Sequence, residues 1–486
     1  MNSNVMEELE PAEVFRYFRE LSKIPRGSGN EKAISDFLVE FAKNQRLEVI
    51  QDKADNVIIK RHGSRGYENS PAVVLQGHMD MVCEKTPACV HDFQKDPLQL
   101  RVADKEWLYA TDTTLGADDG IAVAMGMAIV SSDKIKCPPI EFLVTTSEET
   151  GMDGAAALNP SDITGKTLIN VDSEQEGILT VSCAGGCTAQ LTLPLLWEDA
   201  PENSAAYRID IGGLLGGHSG IEIDKGHANA NKLLGRLLYH AGDRIRICSV
   251  EGGSKHNAIP RDAHAIVLSE EADRDSLIEL VKNLEKTFRD EYKTADPGLY
   301  VKICPAEKRP EKMMEHKCAE NAVRLLYLIP DGVQSMSMDI PGLVESSLNL
   351  GILKTEKEAV RITSTIRSCV GSLKKEIYSR IEAIAVLTNA IVKEEGQYPE
   401  WQYKPDSRLR EICVEQYEKL FGERPVVTAI HAGLECALFA EKFGGSLDMI
   451  SVGPTIIGVH TAQEHLNIPS VRRTWNYLLA ILEALK

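Results

Sequence analysis

AVVLQGHMD (residues 72–80) decides the reading: an apolar run passes directly into a glycine, a histidine and, two residues on, an aspartate. A short continuous apolar run closed by a turn signal is the pattern of a strand buried in a parallel sheet. IEFLVTTSEET (140–150) and TLINVDSE (167–174) have the same form, each ending in carboxylates. Between the first two lies an apolar run, Ile121 to Val130, which predicts a buried helix. Upstream, Ile34, Phe37, Leu38 and Phe41 stand at i, i+3, i+4 and i+7 and give one apolar helix face. Strands alternating with helices predict an α/β domain.

The pattern changes from about residue 184. Amphipathic helices are expected near 227–240, 274–292, 315–328 and 373–391, with strand-like segments YRIDIGG (207–213), HAIVLS (264–269), SLNLGIL (347–353) and AVRITSTI (359–366). The succession helix, strands, helix occurs twice, which reads as a possible internal duplication of an α+β unit. After GQYPEWQYKPD (396–406) the first alternation resumes through RLREICVEQYEKLF, PVVTAI and LDMISVG to a closing helix around Trp475 to Leu485. The expectation is one α/β domain built from 1–185 and 398–486, with 186–397 inserted in it.

Bulk properties limit the function. A chain of 486 residues suggests two or three domains, and 43% hydrophobic with 26% charged residues is the balance of a soluble globular protein. A net charge of −18 disfavours nucleic acid as a partner, because phosphate tracking needs clustered Lys and Arg. The acidic start MNSNVMEELEPAEVF lacks a signal-peptide pattern, and Ile121 to Val130 is far shorter than the ~20 residues a bilayer needs. Eleven cysteines, an odd number without CxxC pairs, suit reduced thiols. No membrane partner and a cytoplasmic location are therefore expected.

The chemistry sits where α/β sheets place ligands, at strand ends. His78 follows the 72–76 run, with Asp80 spaced to accept its other ring N–H. Glu148 and Glu149 follow the second run and Asp172 the third, while His460 closes a short run in IIGVHTAQEH (456–465). In LGADDG (115–120) two glycines bracket Asp118 and Asp119 just before the predicted buried helix. Singly, an HxD is a capped turn, Asp118 an N-cap and an EE pair a solvated surface. Five such pieces at strand ends read as a site. Nitrogen and oxygen donors without cysteine suit catalytic zinc, and a bridging carboxylate would allow two metals ~3.5–4 Å apart to hold a shared hydroxide.

GHMD, LGADDG, TSEETG, NVDSE and the late GVH resemble the cocatalytic-zinc exopeptidases that include peptidase T, carboxypeptidase G and carnosinase. LQGHMDMVCEK, TLGADDGIAVA, GGHSG, NANKLL, HNAIPRDA and HAGLEC point to the dipeptidases among them. The resemblance implies a split α/β catalytic domain with an inserted α+β lid, and two Zn2+ per subunit, with Co2+ or Mn2+ as alternatives because carboxylate and imidazole ligands tolerate several divalent ions. Asp118 would bridge them, His78 and Asp172 completing one site and Glu149 and His460 the other. Glu148 would be the general base and Asp80 would orient His78. It also implies an oxyanion donor in His218 of LLGGHSG (214–220) and a homodimer. The choice of Asp118 over Asp119 as the bridge rests on the resemblance.

Asn257 in HNAIP and Arg367 in TIRS are candidates for the substrate carboxylate, a guanidinium matching it bidentately. By resemblance, His431 and Glu435 in HAGLEC would take the free amine or line the pocket. The expected activity is hydrolysis of dipeptides, Xaa-His among them. An aminoacylase or tripeptidase of the same fold, a thiol hydrolase using Cys183 or Cys187, and a non-catalytic binding protein are the alternatives.

Overall fold

A computed structural model describes residues 8–486. Two compact units emerge, one made of residues up to 182 with 403–429 and 434–486, the other of 183–402 with 430–433. Three short segments, 183–185, 398–402 and 430–433, thus depart from the boundaries expected above, and the pairing accounts for them. Trp401 and Cys183 form an antiparallel bridge, the Ala184 N–H donates to the Ile430 carbonyl at 3.0 Å, and His431 Nε2 lies 2.7 Å from Ser347 Oγ.

The first unit is an eight-stranded sheet in the order Glu48–Gln51, Val57–Arg61, Ile140–Thr145, Val73–His78, Thr167–Asn170, Asp448–Ser451, Ile178–Cys183, Val426–Ile430. The four strands from Ile140–Thr145 to Asp448–Ser451 are mutually parallel, so their carboxyl ends share one edge. Val73–His78 is buried at every position, as its apolar run requires. Behind it runs helix Ala117–Val130, all fourteen residues of which are buried. That helix approaches the sheet closely at Gly126, where a Cβ would come within 2.1 Å of the Phe142 ring. Helix Lys32–Asn44 buries Ile34, Leu38 and Phe41 and leaves Phe37 half-buried.

The second unit carries an antiparallel sheet in the order Tyr300–Pro305, Ser204–Gly212, Ala263–Glu270, Arg246–Gly252, Val344–Thr355, Ala359–Ser368, Gly185–Pro194, Ile391–Tyr398, with Gly332–Met336 also pairing with Val344–Thr355. Arg246–Gly252 meets Val344–Thr355 through Glu251↔Lys354 and Gly252↔Leu353. From that junction the sheet reads alike in both directions. Each half supplies strand, helix, two strands, helix, strand, with helices Ala230–Ala241 and Arg274–Glu291 in one and His316–Leu328 and Gly371–Leu387 in the other. Residues of all four helices join the core of this unit. Among the described residues no helix is long and apolar enough to cross a membrane.

Candidate active site

In the first unit, His78 ends its strand, Glu148 and Glu149 open the short helix that follows Ile140–Thr145, and Asp172 lies two residues beyond Thr167–Asn170. The sheet therefore converges them, and the entry to helix Ala117–Val130 adds Asp118. Asp118 is central: its Oδ1 lies 3.0 Å from His78 Nε2 and its Oδ2 3.1 Å from His460 Nε2. Asp172 Oδ1 stands 3.4 Å from His78 Nε2, and Glu149 Oε2 stands 2.9 Å from His460 Nε2. One carboxylate thus faces the Nε2 atoms of two histidines, and each of these Nε2 atoms has one further carboxylate. The peptide between Asp118 and Asp119 is cis, and Asp119 Oδ2 accepts the His78 main-chain N–H at 3.1 Å.

The cage is strongly anionic. Burial alone would deprotonate His78, but Asp172, Asp118 and Asp80 raise its pKa well above the ordinary value. Hydrogen bonds that His460 donates to Asp118 and Glu149 raise its pKa to about 11. Burial lifts Asp172 to about 6, with Asp118 and Glu149 adding to the effect against the pull of His78. Burial opposes ionisation of Asp118 too, yet His460 and His78 bring it below the usual carboxylate range. These groups favour a positive charge between them. The donor atoms of His78, Asp118 and Glu149, and those of His78, Asp119 and Asp172, lie within 4.8 Å of one another, and Glu149 Oε1 is buried without a partner. This donor set fits a divalent cation.

Asp80 does more than its spacing suggested. Its Oδ1 stands 3.3 Å from His78 Nδ1, and Ser28 Oγ donates to its Oδ2 at 2.8 Å. The main-chain N–H groups of Glu148 and Glu149 also donate to it, at 3.1 and 3.3 Å. One carboxylate therefore fixes both the imidazole and the paired glutamates.

Two buried residues escaped the sequence reading. Arg26 donates from Nη1 to the carbonyls of Met79 and Asp80 and from Nη2 to that of Gly116. A Cβ on Gly116 or Gly120 would come within 2.5 Å of that Nη2, so the two glycines of LGADDG leave room for the guanidinium. Glu464, in the stretch IIGVHTAQEH, accepts from the main-chain N–H groups of Leu115, Gly116, Ala117 and Asp118. Both act on backbone atoms, which no side-chain pattern announces.

The second unit groups His218, Arg367 and His431. Gly220 and Ile221 N–H both donate to His218 Nδ1 at 3.2 Å, which leaves the neutral ring's proton on Nε2 as a free donor. Burial, and then Arg367, lower the His218 pKa. Arg367 lies opposite Ser347 in the sheet and donates from Nη1 to Tyr398 Oη at 2.7 Å, while its buried Nε has no partner. Gly186 makes room for that tyrosine, since a Cβ there would meet the ring at 2.5 Å. Asn257 lines the same groove as His218, and its carbonyl accepts from Ser219 N–H at 2.9 Å.

Glu435 is fully buried, its Oε2 accepting from Gln76 Nε2 at 2.6 Å and Thr145 Oγ1 at 2.8 Å, while its Oε1 has no partner. Burial, with Arg367 close by, lowers His431 to about 4, and its Nε2 lies 2.7 Å from Ser347 Oγ. Cys183 and Cys187 are buried within strands, and burial pushes the Cys187 thiol up to about 12, the reverse of an activated nucleophile.

Known proteins align with this arrangement along its length. The cytosol non-specific dipeptidase of Escherichia coli (strain K12) is 36% identical over 480 residues, 98% of each chain. The chain belongs to the M20 peptidase family. The crystal structure of aminoacylhistidine dipeptidase from Vibrio alginolyticus superposes with a TM-score of 0.95 at 36% identity, covering 99% of this chain and 98% of that one. Aminopeptidase PepT from Bacillus cereus shares the fold at a TM-score of 0.56 and 15% identity, over 98% of this chain and 99% of that one. A peptidase dimerisation domain matches residues 209–296, which lie in the half of the second unit that contains His218. This M20 peptidase is a hydrolase, and the convergent carboxylates and histidines form a candidate metal site in it.

Proposed function

We propose that this chain is a cytoplasmic dipeptidase with two zinc ions, one held by His78 and Asp172, the other by Glu149 and His460, and both by Asp118. The observation that carries the reading is Asp118, whose two oxygens each face a histidine. The absence of cysteine from the donor set favours zinc in a catalytic role. Bound there, the ions supply positive charge that acidifies a water and polarises the scissile carbonyl. Glu148 accepts the water's proton and passes it to the leaving amine. Asp80 keeps His78 and both glutamates in register. His218, with its proton fixed on Nε2, is the donor for the oxyanion. Arg367 and Asn257 receive the substrate carboxylate, Tyr398 holding one arm of the guanidinium. The names of the Escherichia coli and Vibrio relatives support the substrate class and the cytoplasmic location.

The proposed organisation is a catalytic domain of 1–185 and 398–486 with an inserted lid at 186–397, itself an internal duplication, in a homodimer. Since the Arg246–Gly252 edge already pairs with Val344–Thr355, the partner would join elsewhere. Light scattering on the eluting protein should give twice the 53.5 kDa chain mass, and the mass of one chain would refute the dimer.

The test of the activity is a peptide panel with metal-depleted protein. Depletion should abolish cleavage of Xaa-His and other dipeptides, and Zn2+ should restore it. Preference for tripeptides or N-acyl amino acids would move the assignment to another branch of the family, and full activity without metal would end it.

A further inference from the structure

We propose that Glu464 is a positioning residue that locks Asp118 and His460 into one rigid pair and thereby sets the affinity of the His460 side for a divalent cation. The inference rests on the metal site proposed above.

Helix Ala117–Val130 starts after Gly116, which has no side chain to cap the orphan N–H groups of a first turn. The cap comes from almost 350 residues away in the chain. Glu464 is 3% exposed; its Oε2 accepts from Leu115 N at 2.8 Å and Gly116 N at 3.0 Å, and its Oε1 from Ala117 N at 2.8 Å and Asp118 N at 3.4 Å. Arg26 holds the same segment from its carbonyl side through Gly116. The peptide that presents Asp118 is thus gripped by a carboxylate on its amides and a guanidinium on its carbonyl.

The residue whose carboxylate grips that peptide also closes, through its main-chain N–H, the loop that carries His460. Residues 458–464 form a tight loop in which Thr461 Oγ1 donates to the Gly458 carbonyl at 2.7 Å, Gln463 N–H donates to Thr461 Oγ1 at 3.1 Å, and Glu464 N–H to the Thr461 carbonyl at 3.1 Å. His460 projects from this loop with φ +60° and a side chain 51% exposed. His78 needs no such support: it is 1% exposed, paired within the parallel sheet, and held by Asp80 and Asp119. The two sides therefore differ in construction. One is built on strand ends, the other on two loops joined by Glu464.

Glu464→Gln keeps the shape but replaces one acceptor oxygen with an NH2 that faces two N–H donors. Zn2+ titrated calorimetrically into metal-depleted full-length protein should bind as two equivalents in the parent. In Glu464→Gln, one equivalent should weaken by about tenfold or more, the range seen when the support of a metal ligand is removed, while the other, which shares Asp118 but keeps His78 and Asp172, weakens several-fold less. Hydrogen exchange at the 115–118 amides should quicken while the Val73–His78 amides keep parental protection. Parental affinity for both equivalents in the folded variant, or equal weakening of both, overturns the proposal and leaves the metal site standing. Failure of the parent itself to bind Zn2+ removes the reading beneath it. If Glu464→Gln does not fold, Glu464→Asp undergoes the same titration under the same criteria.

Discussion

Glu148→Gln should lower kcat for dipeptide cleavage by about 10²–10⁴-fold, the range that a positioned general base contributes, with Zn2+ still bound at two equivalents. The glutamine is isosteric and leaves the main-chain N–H of residue 148 on Asp80, so the neighbouring Glu149 keeps its place. Only the capacity to accept a proton is removed. Burial and the nearby carboxylates of Asp172, Glu435 and Glu149 raise the Glu148 pKa well above the ordinary value, against the pull of His78. Two divalent charges would reverse that balance and keep the base ionised. The decisive measurement is kcat with metal content determined on the same sample. A variant of parental kcat would show that the proton goes elsewhere, and a variant that loses metal would make Glu148 a ligand.

Asp118→Asn should have the second large effect. Asparagine offers one carbonyl oxygen where aspartate offers two, so it can serve His78 or His460 but not both. Metal stoichiometry should fall from two equivalents to one or none, with affinity reduced by at least about 100-fold at the impaired site. Asp119→Asn is the control, because Asp119 receives a main-chain N–H and leaves the bridging position to its neighbour. It should retain two equivalents. A reversal of these stoichiometries would move the bridge to Asp119.

The strand ends were legible because a parallel sheet writes its register into apolar runs: the runs around 72–76, 140–146 and 167–171 became strands Val73–His78, Ile140–Thr145 and Thr167–Asn170. Residues just past such a run are delivered to one edge, and that let His78, Glu149 and Asp172 be read together, whereas Asp118 enters from a helix start and His460 from a loop between strands of a separate sheet. The sequence could not choose between Asp118 and Asp119, since adjacent carboxylates differ only in the dihedral angles that aim them. HAGLEC spans two units. It reads as one motif, yet His431 belongs with Ser347 in one unit and Glu435 with Gln76 and Thr145 in the other. Arg26 and Glu464 stayed hidden because their partners are peptide groups, which every residue possesses.

The strand Asp448–Ser451 lies between Thr167–Asn170 and Ile178–Cys183, two strands only a short loop apart in the chain. During synthesis, therefore, the growing polypeptide makes both flanking strands long before the one that fits between them. Until residue 451 has left the ribosome, the middle of the sheet is an open slot with two unsatisfied hydrogen-bonding edges, a surface that invites pairing with other chains. Release from that hazard and completion of the metal cage come together, because His460 and Glu464 emerge directly behind the missing strand.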